Sequence, residues 1–166
     1  MNVLNIRLDD RLVHGVVATN WIPRMGIDRA VVIDRASMED PMMKSALRMA
    51  TPKSVFLSVI DLEKFLKNDR ENKYGNEKVM IIVKNLQTII DLADAGFPMK
   101  EVILGNMGRQ GDASDAIPVT RYLAVNTETI AQTEYLHRKG IKLIGQLIPE
   151  NTPVDFYNEM IKAINK

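Results

Sequence analysis

Short β-branched apolar runs at residues 3–6, 30–33, 54–59, 79–83, 102–104, 122–125 and 141–147 alternate along the chain with segments of helical periodicity. Each run is almost continuously apolar, the pattern of a strand covered on both faces. Between them, Asp40-Pro41 reads as an N-cap with proline in the first turn. That helix runs through Met43, Leu47 and Met49 and stops before Thr51-Pro52, because the residue ahead of a proline is turned out of the α region. Leu86, Ile89, Ile90 and Ala93 recur at spacings of three and four, and Gly96 ends the pattern. Residues 127–139 form a further helical segment closing on Gly140, and Thr152-Pro153 opens a last helix carrying Phe156, Tyr157, Met160, Ile161 and Ile164. Such alternation implies an α/β fold: an open, mainly parallel β-sheet with helices on both faces. The polar stretch 68–77 reads as a surface loop, because the alternation resumes unchanged after it, so residues 1–166 form one domain.

Composition removes several function classes. Lys and Arg number 22 against 21 Asp and Glu, so the basic excess expected of a nucleic-acid binder is missing. Cysteine is absent, which excludes disulfides, thiolate catalysis and Cys-based metal sites and suits a reducing compartment. No apolar leader opens the sequence, and no apolar run approaches the ~18 residues of a spanning helix, so the chain reads as soluble and cytoplasmic. The only histidines, His14 and His137, are far apart and show no metal-ligand spacing, so neither metal nor cofactor is expected. There is no Gly-x-Ser-x-Gly nucleophile elbow.

In a parallel α/β sheet, ligands sit at the loops leaving the carboxyl ends of the strands. Those loops hold Asp9, Asp10, Arg11, His14 and Gly15 after the first run, and Asp34, Arg35 and Ser37 after the second. Further along they hold Lys84 and Asn85, then Gly105, Asn106, Met107, Gly108 and Arg109. His137 sits in the last turn of a helix, where the macrodipole favours a cation, and needs no further account. His14 lies between a strand and an apolar helical stretch containing Val17 and Trp21. Imidazole is a nucleophile and proton shuttle near neutral pH, Arg11 can pair bidentately with phosphate, and a helix opening supplies free amides. The competing reading is a surface-loop histidine beside an Asp–Arg ion pair. Asp10 is the candidate to orient the imidazole or Arg11, while Asp9 reads equally as a solvated charge. Asp34, Lys84 and Asn106 are placed near the site by their strand-end positions, with loop capping or solvation as the alternative. Val13, Val16 and Met107 form either an apolar docking rim or core. The segment GNMGRQG (105–111) lacks the lysine and Ser/Thr of a P-loop; it either cradles phosphate or turns on glycines at positive φ.

The string RLDDRLVHGVVATNW (7–21) resembles the opening of the IIB component of the mannose/fructose/sorbose family of bacterial sugar phosphotransferase systems, whose usual pattern is RIDDRLIHGQV. VILGNMG (102–108), Asp34, Asp40-Pro41 and QLIP (146–149) are similar to later parts of that family, so the resemblance spans essentially the whole chain. It implies a cytoplasmic phosphoryl carrier, in which His14 takes phosphate from the phosphohistidine of a IIA partner. The phosphate then passes to sugar bound by the membrane components IIC and IID. Arg11 would stabilise the phosphoryl group. Val16 stands where the family usually has glutamine, which leaves a non-catalytic or regulatory IIB-like module as the rival reading.

Overall fold

The structure, a computed structural model, describes residues 1–108 and 115–166. Its strands are β1 (Asn2–Asp9), β2 (Arg29–Ile33), β3 (Phe56–Ile60), β4 (Lys78–Val83), β5 (Glu101–Asn106), β6 (Ile117–Pro118), β7 (Ala124–Val125), β8 (Lys142–Gly145) and β9 (Val154–Asp155). A π-helical turn, Val17–Trp21, runs directly into α1 (Ile22–Met25). The other helices are α2 (Arg35–Glu39), α3 (Pro41–Ala50), α4 (Leu62–Arg70), α5 (Leu86–Asp94), α6 (Thr127–Arg138) and α7 (Phe156–Ile164).

The apolar runs build one seven-stranded sheet in the order β3-β2-β4-β1-β5-β8-β9. All its pairings are parallel except that of β8 with β9. Side chains alternate across the sheet and feed two cores. Val31, Ile33, Ile81, Val83 and Leu104 meet Phe65, Leu86, Ile89, Leu136 and Phe156 on one face. Ala30, Val32, Met80, Ile82 and Ile103 meet Leu12, Val13, Val17, Trp21 and Leu47 on the other. The open, mainly parallel sheet with helices on both faces is therefore as the sequence implied.

Strands β1 and β5 are neighbours, yet the chain leaving β1 travels to β2 on one side while the chain leaving β5 travels towards β8 on the other. Adjacent strands whose connections diverge leave a crevice at their carboxyl ends, and that crevice is where the histidine loop lies.

Several local expectations are corrected. Of residues 122–125, Ala124–Val125 forms a strand that pairs with β6 in a separate antiparallel ribbon, and Leu123 makes an isolated bridge to Met107. The run 141–147 is shortened to β8, because Gln146 and Leu147 turn away from the strand. Thr152-Pro153 does not open the last helix: β9 intervenes, and Asp155 is the cap, accepting the Asn158 N–H at 3.0 Å. The stretch 68–77 is partly helical, since α4 extends to Arg70. Its turns are pinned by Tyr74, which is buried and accepts a hydrogen bond from Asn68. Asp61 caps α4 through the Lys64 N–H at 2.8 Å, and Phe65 anchors it to the core.

Helix α6 opens with a reciprocal cap. Asn126 Oδ1 accepts the Thr129 N–H at 2.9 Å, and Thr129 Oγ1 accepts the Asn126 N–H at 2.8 Å. Asn126→Ala is expected to cost about 1 kcal/mol, lowering the urea midpoint with the m-value unchanged.

Candidate functional site

The site is built on the end of β1. Alternation along an extended strand sends Arg7 and Asp9 to one face and Asp10 to the other. Opposite them β5 carries one extra residue: Leu8 pairs with Leu104 and Asp9 with Asn106, leaving Gly105 as a bulge. The side-chain space that a residue at 105 would fill is occupied by the Arg7 guanidinium and the Asp9 carboxylate. A Cβ there would lie 1.8 Å from Arg7 Nη2 and 2.6 Å from Asp9 Oδ2. Gly105 is thus required by close approach. Of the described glycines of the segment, Gly108 takes positive φ, at 84°, against the Ala124 carbonyl.

Arg7 and Asp9 have fully buried side chains, joined at 3.1 Å between Nη2 and Oδ2. Burial of a charge is tolerated only when its hydrogen-bonding groups are matched. Arg7 also donates to the carbonyls of Gln146 at 3.2 Å and Leu147 at 3.1 Å, and its guanidinium lies 5.1 Å from the centre of the Trp21 ring. Trp21 Nε1 donates to the same Leu147 carbonyl at 2.8 Å.

His14 completes the chain of contacts: its Nε2 lies 3.0 Å from Asp9 Oδ2 and its side chain is 16% exposed. Burial pushes the Asp9 carboxyl up, but the His14 hydrogen bond, the Arg7 charge and the Arg11 backbone N–H outweigh it, and the pKa lies below the ordinary carboxylate value. Burial likewise pulls the Arg7 guanidinium down, opposed by Asp9. An ionised Asp9 can only accept, so Nε2 carries the proton and Nδ1 of a neutral imidazole keeps its lone pair.

The loop holding this imidazole is strained. Leu12 adopts φ 57°, a left-handed conformation that costs a β-carbon residue about 1 kcal/mol or more. Burial of Leu12 and Val13, each 3% exposed, holds it there, with the Leu12 N–H bonded to Asp9 O at 2.8 Å. The helical segment begins at Gly15, and Ala18 N–H bonds to His14 O at 2.9 Å, so His14 sits at its amino end.

The predicted residues separate accordingly. His14, Gly15 and Arg11 come together. Arg11 is 48% exposed, its N–H bonds to Asp9 Oδ1 at 3.2 Å, and its Nε lies 3.9 Å from that oxygen. The carboxylate on the imidazole is Asp9, a correction to the expected Asp10, because alternation turns Asp10 to the opposite face. There Asp10 lines a cavity of about 360 Å³ with Lys84, Asn85, Met107, Asn126 and Gln132. Asp34 caps α2 by accepting the Ser37 N–H at 3.0 Å, so capping is its observed role. Asn106 is buried beside the loop, its carbonyl accepting the Asp10 N–H at 3.1 Å. Val13 and Met107 are core; Val16 alone of the three apolar rim candidates stays partly exposed. Arg109 and the rest of the glycine-rich segment to Gly111 lie outside the described residues. His137 lies in the last turn of α6 and stacks on Tyr157, with ring centres 3.7 Å apart. The sequence reading did not single out Arg7, Trp21, Gly105 or Gln146 for this network. An Arg-x-Asp pair sharing one strand face was the signal for the first.

The sequence pattern of the family described as "PTS system sorbose subfamily IIB component" matches residues 3–166. The chain is 30% identical over 166 residues to the "PTS system fructose-specific EIIB component" of Bacillus subtilis (strain 168), covering 100% of this chain and 99% of that protein. It is 30% identical over 138 residues to the "PTS system mannose-specific EIIAB component" of Escherichia coli (strain K12), covering 82% of this chain and 42% of that one. In fold it is similar to the crystal structure of the IIBSor domain of the sorbose permease from Klebsiella pneumoniae, with a TM-score of 0.89 and 22% identity over 98% of both chains. Among the described residues no helix is long and apolar enough to cross a membrane.

Gly105→Ala is expected to destabilise the protein by about 2 kcal/mol or more through overpacking of the ion pair, measured by denaturant unfolding. Asp9→Asn is expected to cost about 3 kcal/mol at neutral pH by leaving Arg7 buried and unpaired. Because the folded pKa of Asp9 is depressed, its contribution is fully present above about pH 4 and fades as pH falls through the folded value. The stability gap between wild type and Asp9→Asn therefore narrows below about pH 4 in a pH series of unfolding curves.

Proposed function

Since the chain belongs to the sorbose subfamily of phosphotransferase-system IIB components, phosphoryl carriers of sugar phosphotransferase systems, we propose that His14 carries the phosphoryl group, on Nδ1. One observation carries this reading: the Nε2–H of His14 is held by the buried, ionised Asp9, which leaves Nδ1 as the nucleophile. A IIA phosphohistidine is the donor, a partner consistent with the mannose relative being named as an EIIAB component. The acceptor is sugar held by the membrane components IIC and IID, with residues 1–166 acting as one cytoplasmic IIB domain docked against them.

In the first step the Nδ1 lone pair attacks phosphorus in line, the P–N bond to the donor imidazole breaks, and a P–Nδ1 bond forms. The His14 ring keeps its proton on Nε2 and gains positive charge, which the adjacent Asp9 carboxylate offsets. With Nε2 protonated, neutral imidazole is the leaving group of the second transfer, in which a sugar hydroxyl attacks phosphorus, the P–Nδ1 bond breaks and the hydroxyl proton passes to solvent. The His14 ring then returns to its neutral state with Nε2–H still on Asp9. Phosphoryl transfer needs mostly positioning and charge stabilisation. The half-exposed Arg11 guanidinium is free to swing onto the phosphoryl oxygens in bidentate fashion. A Cβ at Gly15 would meet nothing within 4 Å, so the space at Gly15, beside His14 in the chain, is open.

Incubation with phosphorylated IIA is expected to place acid-labile, alkali-stable phosphate on His14, with 31P–1H NMR assigning it to Nδ1. Label that persists in His14→Ala overturns the assignment, and an unlabelled wild type that only binds inorganic phosphate supports the regulatory reading. Arg11→Ala is expected to slow transfer by about 100-fold, the scale seen when one charge-stabilising donor is lost, with the fold unchanged; quenched-flow labelling measures it.

A further inference from the structure

Among the described residues, the large apolar side chains left exposed are Met42, Met43, Met49 and Phe56, and all of them lie on α3 or at the start of β3. Strand β3 is an edge of the sheet, with β2 on one side and no strand on the other. Phe56 N–H bonds to Asp28 O, and Asp34 N–H bonds to Ile60 O, so the backbone of Phe56 and Ile60 faces β2. By alternation Ser58 does the same, and the N–H and C=O groups of Leu57 and Val59 point away from the sheet. Such an edge is normally blunted by a charge, a proline or a bulge. Phe56–Ile60 (FLSVI) has neither charge nor proline, and its register with β2 runs unbroken from Phe56 to Ile60. The other edge, β9, is two residues long and offers little template.

We propose that the β3 edge and the methionine face of α3 form an interface with a second copy of this chain, the two β3 strands pairing antiparallel about a twofold axis at Ser58. That axis makes Leu57 of one copy and Val59 of the other a hydrogen-bonded pair, using the backbone groups β2 leaves unsatisfied. The charges agree with it. Residues 41–60 contain no acid, whereas Asp61 and Glu63 follow directly. Lys53 and Glu63 are equally far from Ser58 in sequence, at opposite ends of the strand. The neighbouring charges Arg35, Glu39, Asp61, Lys67 and Glu71 are engaged with one another, while Lys44, Lys53, Glu63 and Lys64 enter no ion pair among the described residues, Glu63 being the one acid of these four. An antiparallel dyad brings Lys53 of each copy to the end of β3 that carries Glu63 of the other. A twofold interface is self-complementary in this way.

The pairing continues the sheet across the axis and sets both α3 helices on the same face, since α3 packs through Leu47 on the cluster holding Val32 and Met80. A bare strand edge buries little of the roughly 800 Å² per partner that a stable interface hides. Met42, Met43 and Met49 add adaptable apolar surface. Strands β2 and β4 stand between β3 and β1, so the interface leaves the His14 loop open to its own partners.

Sedimentation velocity across a concentration series is expected to show a monomer of 18.7 kDa passing to a species of twice that mass. Hydrogen exchange at the Leu57 and Val59 amides is expected to slow as the dimer forms. Lys53→Glu and Glu63→Lys, both exposed substitutions, are each expected to weaken association by about tenfold, and the double variant to restore it. A monomer at all concentrations up to about 1 mM overturns the proposal. So does a dimer whose Leu57 and Val59 amides exchange equally fast when diluted, or a double variant no tighter than the singles.

Discussion

The buried Arg7–Asp9 ion pair at the end of β1 is the constraint around which the rest of the site is arranged. Two charges taken fully out of water are costly unless every donor and acceptor is engaged. Here one carboxylate oxygen receives Arg7 and His14, while the other receives the Arg11 backbone. The guanidinium reaches two carbonyls of the turn after β8 and lies over Trp21. Three separate chain segments thereby converge on β1. The imidazole is oriented as the last member of a network already fixed by packing.

The arginines on either side of Asp9, Arg7 in β1 and Arg11 in the histidine loop, differ in exposure. Arg7 is locked, and its charge serves to keep Asp9 ionised; Arg11 is half in solvent, 3.9 Å from the other Asp9 oxygen. The strain at Leu12 belongs to the same design, because its left-handed backbone turns the chain sharply enough to bring His14 back over the carboxylate five residues earlier. Burial of Leu12 and Val13 holds that turn. The loop leaves the His14 side chain held by Asp9 yet partly exposed, the two conditions that the proposed cycle asks of it.

The sheet was legible because its strands are buried on both faces and so read as unbroken apolar runs. Elements with mixed exposure were not. Helix α4 went unseen among charged residues, and Thr152-Pro153 outranked Asp155 as a helix start because β9 is only two residues long. At the site, His14, Arg11 and Gly15 were visible from type and position. The exchange of Asp9 for Asp10 had a local cause: adjacent residues leaving a strand face opposite sides, and sequence alone does not say which side carries the loop. Gly105 was visible as a glycine but not as a steric vacancy, since that depends on a bulge opposite Leu8 and Asp9. Arg7, just past the first apolar run, was not singled out, although its side chain is fully buried and engaged.

The π turn at Val17–Trp21 has a consequence of its own. It holds one residue more than an α-helix uses for the same rotation, so the segment from Gly15 to Met25 contains what amounts to a one-residue insertion. Each residue of an α-helix advances about 100° around the axis. Removing one residue from this turn would let it relax to regular α-helix, yet it would swing the indole away from Arg7 and the Leu147 carbonyl. Between His14 and Trp21 the chain therefore tolerates changes of residue type more readily than changes of length.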